Sequence, residues 1–582
     1  MAKKLTILFF FVFFFISYLQ RHVYNSDFWW HLAAGKYITE TRSLPTNDPF
    51  AYTSQEEPST RKSIILRGYW LAQVAFYKIY DSWSAKGIIT LRSVVMSLFL
   101  FFVFLAIKKQ RAPDILAVLL TVCIFFTAKG FLGERPQLFT FLTFSIVLYL
   151  LEAFRTTKSK KIFLIPFIIF VLSNMHPGFV VCILLVALYT LGTAAKLLGK
   201  EESPAGSLKT LCIVLMLSAI ASLLNPNGLS VIGELLMLSS DEQRKGIVEH
   251  MPTFSVYFNK FGPVDYSYIS FLVASSLSLR YIRKTEIIHL LSLVVFSIMS
   301  FVSLRYIIFY MAIAAPLLAA TILNASEEKI FEKFTGVVKR KEKFTAAASG
   351  IIGIFLVFVS IPALAKYEFK ESTFFDVPKG AADFLAGQQI EGNMFNEYGF
   401  GGYLIWRLYP EKKVFIDGRS LETNILEEYQ IIASSVAGGR RSWEDIAKKY
   451  DITYIVMPPL MPRGEIYPIV ETLFDKDEWA LIYYDHLSLV FLRNDSRNVY
   501  VVRKLARDKI EGLNTIILQA AARANKNPTN PYYFMTLGKV FFKMKRFDDS
   551  HRAFTMALQR DPHNALIKKW LQNAEAARAG KS

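Results

Sequence analysis

Cysteine is scarce in this sequence, with three among 582 residues. Cys123, Cys182 and Cys212 each lie within an apolar run, so they offer neither a disulfide framework nor metal-ligand spacing. The sequence also lacks a Walker A loop, a glycine-rich nucleotide fingerprint after a strand, and the HExxH and CxxC motifs. Nothing in it therefore supports cytosolic nucleotide-driven chemistry.

Acidic residues are outnumbered, 48 against 67 lysines and arginines, which gives a net charge of +19. Such a balance can indicate nucleic-acid binding, but most basic clusters here occupy short loops between hydrophobic runs, as the positive-inside rule predicts for cytoplasmic loops. Hydrophobic residues make up 53% of the chain, and phenylalanine alone occurs 50 times. The composition predicts a polytopic protein whose partner is the lipid bilayer, with no nucleic acid bound.

Hydrophobic runs of spanning length predict a mostly α-helical membrane bundle of about eleven spans. We place the N-terminus in the cytoplasm, because Lys3 and Lys4 precede the first run and no cleavage site follows it. An interfacial helix is expected over 69–81, and everything after 366 is expected outside. The predicted spans are 5–19, 87–107, 114–128, 137–153, 162–174, 179–195, 208–224, 267–282, 286–303, 306–323 and 346–365.

Beyond the bundle the composition becomes that of a globular protein. We predict three domains: a transmembrane domain over 1–366, a small extracytoplasmic α/β domain over 367–500, and a helical region over 501–582. The α/β prediction rests on short strand-like and helix-like segments. The strands are predicted at 393–396, 413–417, 452–457, 479–485 and 487–493, and the helices at 425–436, 443–450 and 464–474.

The C-terminal region resembles one tetratricopeptide repeat over 531–564. Residues at the offsets of that motif are Phe534, Leu537, Gly538, Phe541, Phe554, Ala557 and Pro562. A single repeat is less than a stable solenoid needs. The helical hairpin is therefore expected either to pack on the α/β domain or to bind a protein partner.

Polar residues that are unusual in a membrane chain all fall on the predicted outer side. Ionisable groups at span ends often mark a substrate path, because burying them unpaired is costly. Asp27 and His31 are four residues apart, so a helix presents them on one face. Asp27 could instead simply cap that helix, because acidic residues are favourable in the first turn. Arginine suits phosphate because its planar fork bonds two oxygens. The candidate catalytic residues are Asp27 and His31, and the candidate substrate-binding residues are Arg67, Glu134, Arg135, His176 and Arg305.

Several motifs resemble the GT-C membrane glycosyltransferases, and more closely a bacterial group within that superfamily. They are Asp-Phe-Trp-Trp-His at 27–31, Arg-Pro-Gln at 135–137, Asn-Met-His-Pro-Gly at 174–178, Asn-Pro-Asn-Gly at 225–228, Gly-Gly-Tyr-Leu-Ile-Trp at 401–406 and Phe-Ile-Asp-Gly-Arg at 415–419. The resemblance implies sugar transfer from a polyprenyl-phosphate carrier at the outer face, with Asp27 as base or metal ligand. Many relatives carry paired acidic residues here, whereas Phe28 follows Asp27, and His31 and Asp48 are candidate partners. A divalent cation such as Mg²⁺ or Mn²⁺ stays an open expectation.

The favoured hypothesis is a glycosyltransferase of the bacterial inner membrane, with a periplasmic C-terminal region and a polyprenyl-phosphate-linked sugar as donor. The alternative is a non-catalytic membrane scaffold that acts through its periplasmic helical repeat. A transporter is a third candidate, but the sequence shows no obvious inverted repeat with paired broken helices.

Overall fold

The chain folds into two compact units. The membrane unit comprises Met1–Thr46 and Pro58–Phe374, and the C-terminal unit comprises Asn47–Glu57 and Phe375–Ser582. The segment 47–57 thus belongs to the C-terminal unit, although the domain boundaries predicted from the sequence include it in the transmembrane domain. The computed structural model describes residues 2–20, 25–54, 60–198, 205–231, 248–258, 264–278, 280, 286–325, 351, 354–355, 357–358, 377–419, 421–436 and 441–580.

The membrane unit is helical throughout the residues that the structure describes. Among the described residues, five stretches are long and apolar enough to cross a membrane: Arg61–Lys108, Asp114–Phe131, Gln137–Thr157, Phe179–Leu198 and Leu304–Asn324. Shorter apolar helices occur at Ile7–Leu19, Gly206–Ser222 and Ile287–Val302. The predicted span at 346–365 lies almost wholly outside the described residues, so the count of eleven stays a prediction. The helices are α1 Ala2–Leu19, α2 Asp27–Thr41, α3 Thr60–Arg67, α4 Trp70–Lys108, α5 Asp114–Ala128, α6 Gln137–Thr157, α7 Ile165–Ser173, α8 Phe179–Leu198, α9 Ala205–Ser222, α10 Thr253–Phe258, α11 Tyr266–Ser278, α12 Ile287–Val302 and α13 Ile307–Ala325.

Helix α4 joins two elements that the sequence predicts separately, the interfacial helix 69–81 and the span 87–107. Its backbone leaves the helical region only at Ser84, where φ is 52° and ψ is −150°. A non-glycine residue at positive φ is uncommon and interrupts the regular helix. The break therefore divides α4 almost where the apolar pattern of the sequence changes.

Phenylalanine packing forms the core of the membrane unit. Phe14 of α1 stacks on Phe125 of α5 with ring centroids 4.7 Å apart, and Phe309 of α13 meets Phe144 of α6 edge to face at 4.8 Å. Lipid tails are as apolar as these rings, so close van der Waals packing between helices supplies much of their association. The abundance of phenylalanine therefore has a structural role in the bundle.

A buried polar cluster ties together α6, α8 and α12. Glu152 has a wholly buried side chain, and its carboxylate accepts hydrogen bonds from Tyr189 and, at 2.8 Å, from His289. Arg155 pairs with Glu152 at 2.8 Å, and Glu286 pairs with both Arg155 and Lys196. Because a buried charge is costly unless it is paired, these contacts fix how the three helices lie against each other.

The C-terminal unit is a four-stranded mixed sheet with helices around it. The strand order is β1-β2-β4-β3, with β1 parallel to β2 and the other pairs antiparallel. The strands are β1 Asn393–Asn396, β2 Ile452–Met457, β3 Trp479–Tyr484 and β4 Leu489–Arg493. The helices are α14 Lys379–Ala386, α15 Gly401–Leu408, α16 Thr423–Ala433, α17 Trp443–Lys449, α18 Pro468–Asp475, α19 Val499–Leu505, α20 Lys509–Lys526, α21 Pro531–Lys543, α22 Phe547–Arg560 and α23 Ala565–Ala579.

The strand predicted at 413–417 does not join this sheet. Val414 instead forms an isolated parallel bridge with Ala51, closed by hydrogen bonds from Tyr52 N to Val414 O at 3.2 Å and from Val414 N to Phe50 O at 3.1 Å. The prediction of a strand here is wrong: a single residue, Val414, forms a bridge, and its partner Ala51 is far away in the sequence, where local patterning cannot identify it.

The last helices pack on the α/β part of the same unit. In α21, the Thr536 hydroxyl donates to Gly464 O at 2.8 Å, and Lys539 pairs with Glu471 of α18 at 3.0 Å. A Cβ at Gly538 would lie 2.7 Å from the Phe554 ring, so this position needs glycine for α21 and α22 to meet. Of the two arrangements expected for this hairpin, the structure shows packing on the α/β domain.

Candidate functional site

A cavity of about 710 Å³ lies within the membrane unit. Its lining combines three cations, Lys129, Arg135 and Arg305, with the carboxylates of Glu249 and Asp265, and the rest is largely aromatic and aliphatic. A concave, mostly apolar site with a few convergent polar groups is the usual form of a ligand-binding site. The mixture suits a ligand that has both an ionic and an apolar part.

Asp27 lies at the start of α2, in the first turn of the helix. The Asp27 N–H donates to Asn25 Oδ1 at 2.9 Å, a local turn that asparagine favours just before a helix. Asn25 itself lines the cavity, whereas Asp27 is not among the lining residues and is linked to them by this turn and by its pair with Arg135. The first turn of a helix also favours a negative charge.

Arg135 links Asp27 to Glu249. Its Nε lies 3.3 Å from Asp27 Oδ2, and its Nη1 lies 2.9 Å from Glu249 Oε1. The three side chains are 29%, 24% and 37% exposed, so the cluster borders open space. The structure therefore brings Asp27, Arg135 and Glu249 together.

Arg305 reaches the same cavity from the turn before α13. Arg305 Nη1 lies 3.4 Å from both ring nitrogens of His250. The Ser303 hydroxyl donates to Glu249 O at 2.8 Å, and Leu304 N donates to Met251 O at 3.1 Å. These contacts hold residues 248–251 against the turn and so position Glu249 and Arg305 together.

His176 lies in the connection between α7 and α8. Its Nδ1 accepts from the Gly178 N–H at 2.9 Å and contacts Thr140 Oγ1 at 2.8 Å. Burial, together with the nearby Arg305 and Arg135, lowers the pKa of His176 from 6.5 to about 3. The imidazole is therefore neutral at pH 7, with its remaining proton on Nε2.

His31 is not among the residues that line the cavity. It is 3% exposed, its Nδ1 lies 3.2 Å from Gln73 Nε2, and its ring lies 3.5 Å from that of Trp30. A Cβ at Gly35 would lie 2.1 Å from Gln73 O, so only glycine lets α2 approach α4 this closely. The contacts of His31 thus hold α2 against α4.

Arg67 and Glu134 also contact other groups instead of the cavity lining. Arg67 Nε donates to Pro45 O at 3.1 Å. Glu134 is fully buried and pairs with the equally buried Arg92 of α4, whose guanidinium also donates to Tyr18 O at 2.9 Å. Sequence reasoning missed Arg92; an arginine within a predicted span was the available signal, because such a charge must find a partner.

A second arginine between two carboxylates lies in the C-terminal unit. Arg419 donates to Asp417 and to Asp48 through four hydrogen bonds of 2.6 to 3.1 Å. Burial opposes its charge, yet Asp417 and Asp48 raise the pKa of Arg419. The sequence predicts a local ion pair between Asp417 and Arg419, which the structure contains, but gives no sign of Asp48 as the second partner.

No group of three or more histidine, cysteine, aspartate or glutamate side chains that could hold a metal ion occurs within the described residues. Asp27 and Glu249 are instead both paired with one guanidinium. The residues present do not fit a divalent cation at this place.

Comparison with solved structures identifies the architecture. The chain is similar to the oligosaccharyltransferase of Archaeoglobus fulgidus in its apo form, with a TM-score of 0.50 and 11% identity over 78% of this chain and 69% of that one. It is also similar to the arabinofuranosyltransferase AftD from Mycobacteria, with a TM-score of 0.51 and 10% identity over 85% of this chain and 40% of that one. Both are GT-C glycosyltransferases.

The chain has a GT-C fold. At these identities the likeness concerns the fold alone. The membrane fold and the long apolar helices together indicate a multi-pass membrane protein. No protein-family model matches the sequence, and no curated protein matches it. The roles of individual residues within this GT-C fold therefore have to be argued from the cavity itself.

Proposed function

We propose that the chain is a membrane glycosyltransferase that transfers a sugar from a polyprenyl-phosphate-linked donor to an acceptor on the extracytoplasmic face. The observation that carries this proposal is the cavity of the membrane unit, where Arg135 and Arg305 line one space and Asp27 pairs with Arg135. The GT-C fold supports it, because the two structural neighbours are named as glycosyltransferases.

The lining of the cavity suits such a donor. Guanidinium groups bind phosphate through two parallel hydrogen bonds, and Lys129 adds a third cation. Phe126 and Tyr266 line the same cavity while 57% and 78% exposed. Exposed rings beside a cationic site offer an apolar surface for the isoprenoid part of a lipid.

Asp27 is assigned the general base. It would take the proton of the acceptor hydroxyl as that oxygen attacks the anomeric carbon, and the polyprenyl phosphate would leave. Arg135 and Arg305 would stabilise the charge that grows on the leaving phosphate, which is usually the largest contribution to such a reaction. Neutral His176 would contribute a hydrogen bond, and His31, Arg67 and Glu134 would position the elements that hold the site.

A proposed topology follows from the segment 47–57. Asp48 and the residues around Arg419 share buried hydrogen bonds, so residues 47–57 and the rest of the C-terminal unit must lie on one side of the bilayer. This supports an even number of crossings between them, as the assignment of the C-terminal unit to the periplasm of a bacterial inner membrane requires. The domain boundaries at 366 and 500 remain part of the proposal.

The test replaces Asp27 by asparagine and by alanine in the full-length protein and measures sugar transfer and accumulated lipid-linked sugar. Loss of a general base predicts a decrease of about 100- to 10,000-fold. Asp114→Asn is the matched control, because Asp114 also lies in a first helical turn and pairs with a cation, Lys108, at 2.6 Å. We expect that variant to keep its activity.

The scaffold alternative predicts the opposite pattern. Both Asp27 variants would then match the wild type in envelope glycans, whereas Leu566→Glu on the exposed side of α23 would remove the phenotype. Leu566 is 50% exposed, so this substitution probes a protein partner of the helical repeat without cutting into the core.

A further inference from the structure

Helix α19 of the C-terminal unit presents an exposed face that combines an aromatic ring with two cations. Tyr500 is 74% exposed, and Val499 beside it is 37% exposed. Arg503 and Lys504 are also exposed, and they follow Tyr500 by three and four residues, so the helix places them next to its ring. Val502, on the other side of the helix, is buried. We call Val499, Tyr500, Arg503 and Lys504 the α19 face.

The two cations of the α19 face have no partner within the part of the chain that the structure describes. Neither the Arg503 guanidinium nor the Lys504 amine forms an ion pair or a side-chain hydrogen bond there. By contrast, Arg497, just before α19, binds the carboxylates of Asp451 at 2.8 Å and Asp495 at 3.0 Å. The positive charge of the α19 face is therefore open to an anionic partner.

This combination of side chains suits the headgroup region of a lipid bilayer. Tyrosine favours the boundary between membrane and water, where its ring can lie beside apolar carbon and its hydroxyl beside water. Lysine and arginine near the surface are attracted to anionic lipids, within about a Debye length. The charge of the α19 face and its exposed apolar side chains are thus both complementary to an anionic membrane surface.

The position of α19 within the C-terminal unit favours lipid over a protein partner. Asn498, the residue before α19, binds the backbone of Glu391 twice: its Nδ2 donates to Glu391 O at 3.0 Å, and its Oδ1 accepts from Glu391 N at 3.1 Å. Glu391 comes shortly after α14, the first described helix that follows the predicted span at 346–365. Both α14 and α19 contact β3. The α19 face therefore belongs to the part of the unit that the chain forms first after the last predicted span.

We propose that the α19 face binds the anionic phospholipid headgroups of the bilayer that the protein spans. Arg503 and Lys504 pair with lipid phosphates, while Tyr500 and Val499 lie at the level where headgroups meet acyl chains. The contact holds the C-terminal unit against the membrane surface, and it does not depend on the proposed sugar transfer. Its strength increases with the anionic lipid content and decreases with ionic strength.

The test measures how fast a water-soluble acetylating reagent labels the Lys504 amine of the full-length protein. The protein is held in nanodiscs of phosphatidylcholine, with or without phosphatidylglycerol, and peptide mass spectrometry gives the labelling rate. One cation near an anionic surface strengthens binding about fivefold, so we expect Lys504 to react about three- to tenfold more slowly in the anionic discs. About 0.5 M salt should remove the difference, because it screens the lipid charge. Arg503→Gln should restore labelling by up to about fivefold, since one of the two cations is lost.

Lys569 of α23 is the internal control. It is also exposed and lies three residues after the exposed Leu566, but away from the α19 face. We expect its labelling rate to change less than about twofold between the discs, because the attraction falls off within a Debye length of the surface. An equal slowing at Lys569, or the same Lys504 rate in both kinds of disc, would overturn the proposal. Protection of Lys504 that persists at high salt would indicate a protein contact at the α19 face and would overturn it as well.

Discussion

Two arginines of this chain each lie between two carboxylates, yet their surroundings differ completely. In the C-terminal unit, Arg419, Asp48 and Asp417 are 2%, 0% and 4% exposed, and the guanidinium is bound by both carboxylates in pairs of hydrogen bonds. In the membrane unit, Arg135 pairs with Asp27 at 3.3 Å and with Glu249 at 2.9 Å, and the three side chains are between 24% and 37% exposed beside a cavity.

The difference separates a buried, structural cluster from the one that we propose to be functional. Around Arg419 the guanidinium makes four hydrogen bonds to its two carboxylates, and the adjoining cavity, lined by Asp48 and Asp417, has a volume of only about 20 Å³, little more than one water molecule needs. Arg135 instead lines a cavity of about 710 Å³, a volume large enough for a lipid headgroup. Exposure and adjoining volume thus distinguish the two clusters better than their composition, which is one arginine and two carboxylates in both.

The largest effect is expected from Asp48→Asn. It leaves Arg419 buried with one carboxylate, and breaking a buried pair in this way costs about 3 to 5 kcal/mol. We expect a loss of that size in the stability of the C-terminal unit, measured by hydrogen exchange of residues 377–580 during urea unfolding. The control is Asp383→Asn, whose partner Arg407 is 41% exposed; that pair should contribute less than about 1 kcal/mol. Equal effects would remove the distinction between the clusters.

A buried carboxyl group whose partners are uncharged hydrogen-bond donors should have a raised pKa, unlike a carboxylate that pairs with arginine. Glu397 accepts from the Phe400 N–H at 2.9 Å, and burial raises its pKa from 4.5 to about 7, although the hydrogen bonds from Phe400, Gly399 and Tyr467 oppose the shift. Between pH 4.5 and 7 the unfolded chain has lost this proton and the folded chain has kept it. Stability therefore falls as pH rises through that window, by at most about 3 kcal/mol.

Glu397→Gln tests this pH dependence, because glutamine keeps the shape but cannot titrate. Urea unfolding of the C-terminal unit at several pH values should show a flatter profile in the variant than in the wild type between pH 4.5 and 7. The same decline in both proteins would mean that another group causes it.

A smaller effect is expected when the aspartate of the open cluster is changed. Asp27→Asn should alter the thermal stability of the membrane unit by less than about 1 kcal/mol, since partly exposed pairs contribute little. Thermal unfolding in detergent measures this, with Asp48→Asn beside it. A loss comparable to that of Asp48→Asn would make the Arg135 cluster structural after all.

The smallest expected change concerns His176. Burial, then Arg305, then Arg135 lower its pKa, so Arg135→Gln should raise that pKa modestly by removing the last of these. The exchange rate of the imidazole C2 hydrogen, measured by mass spectrometry over a range of pH, gives the pKa of His176. If Arg135 does not affect the pKa of His176, the wild type and Arg135→Gln will give the same curve of exchange rate against pH.

Much of the architecture follows from local patterns in the sequence. The segments predicted as strands at 393–396 and 452–457 are strands with the same bounds, because alternating and buried apolar runs are local signals. The predicted span at 137–153 begins with α6, just after Pro136, as proline favours a helix start. Loop charge predicts one side of the membrane for Asp27, Arg135 and Arg305; the structure has Arg135 and Arg305 in one cavity lining and Asp27 paired with Arg135, while the side of the membrane stays a prediction.

Pairings across the sequence could not be predicted in this way. The bridge between Ala51 and Val414, the second carboxylate of Arg419, and the Arg92 partner of Glu134 each join residues with no common local pattern. The contacts of His31 with Gln73 depend on how closely α2 approaches α4, which a helical-face argument cannot give. The roles predicted for His31, Arg67 and Glu134 stay predictions.

The segment 47–57 also constrains the order of folding during synthesis of the chain. Asp48 and Arg419 are 371 positions apart, and a ribosome that adds about 5 to 20 residues per second needs roughly 20 to 70 seconds to make the intervening chain. During that interval Asp48 cannot form its ion pair, because Arg419 has not yet been synthesised. Nascent chains stalled before residue 419 should therefore leave residues 47–54 open to protease, whereas the finished protein shields them.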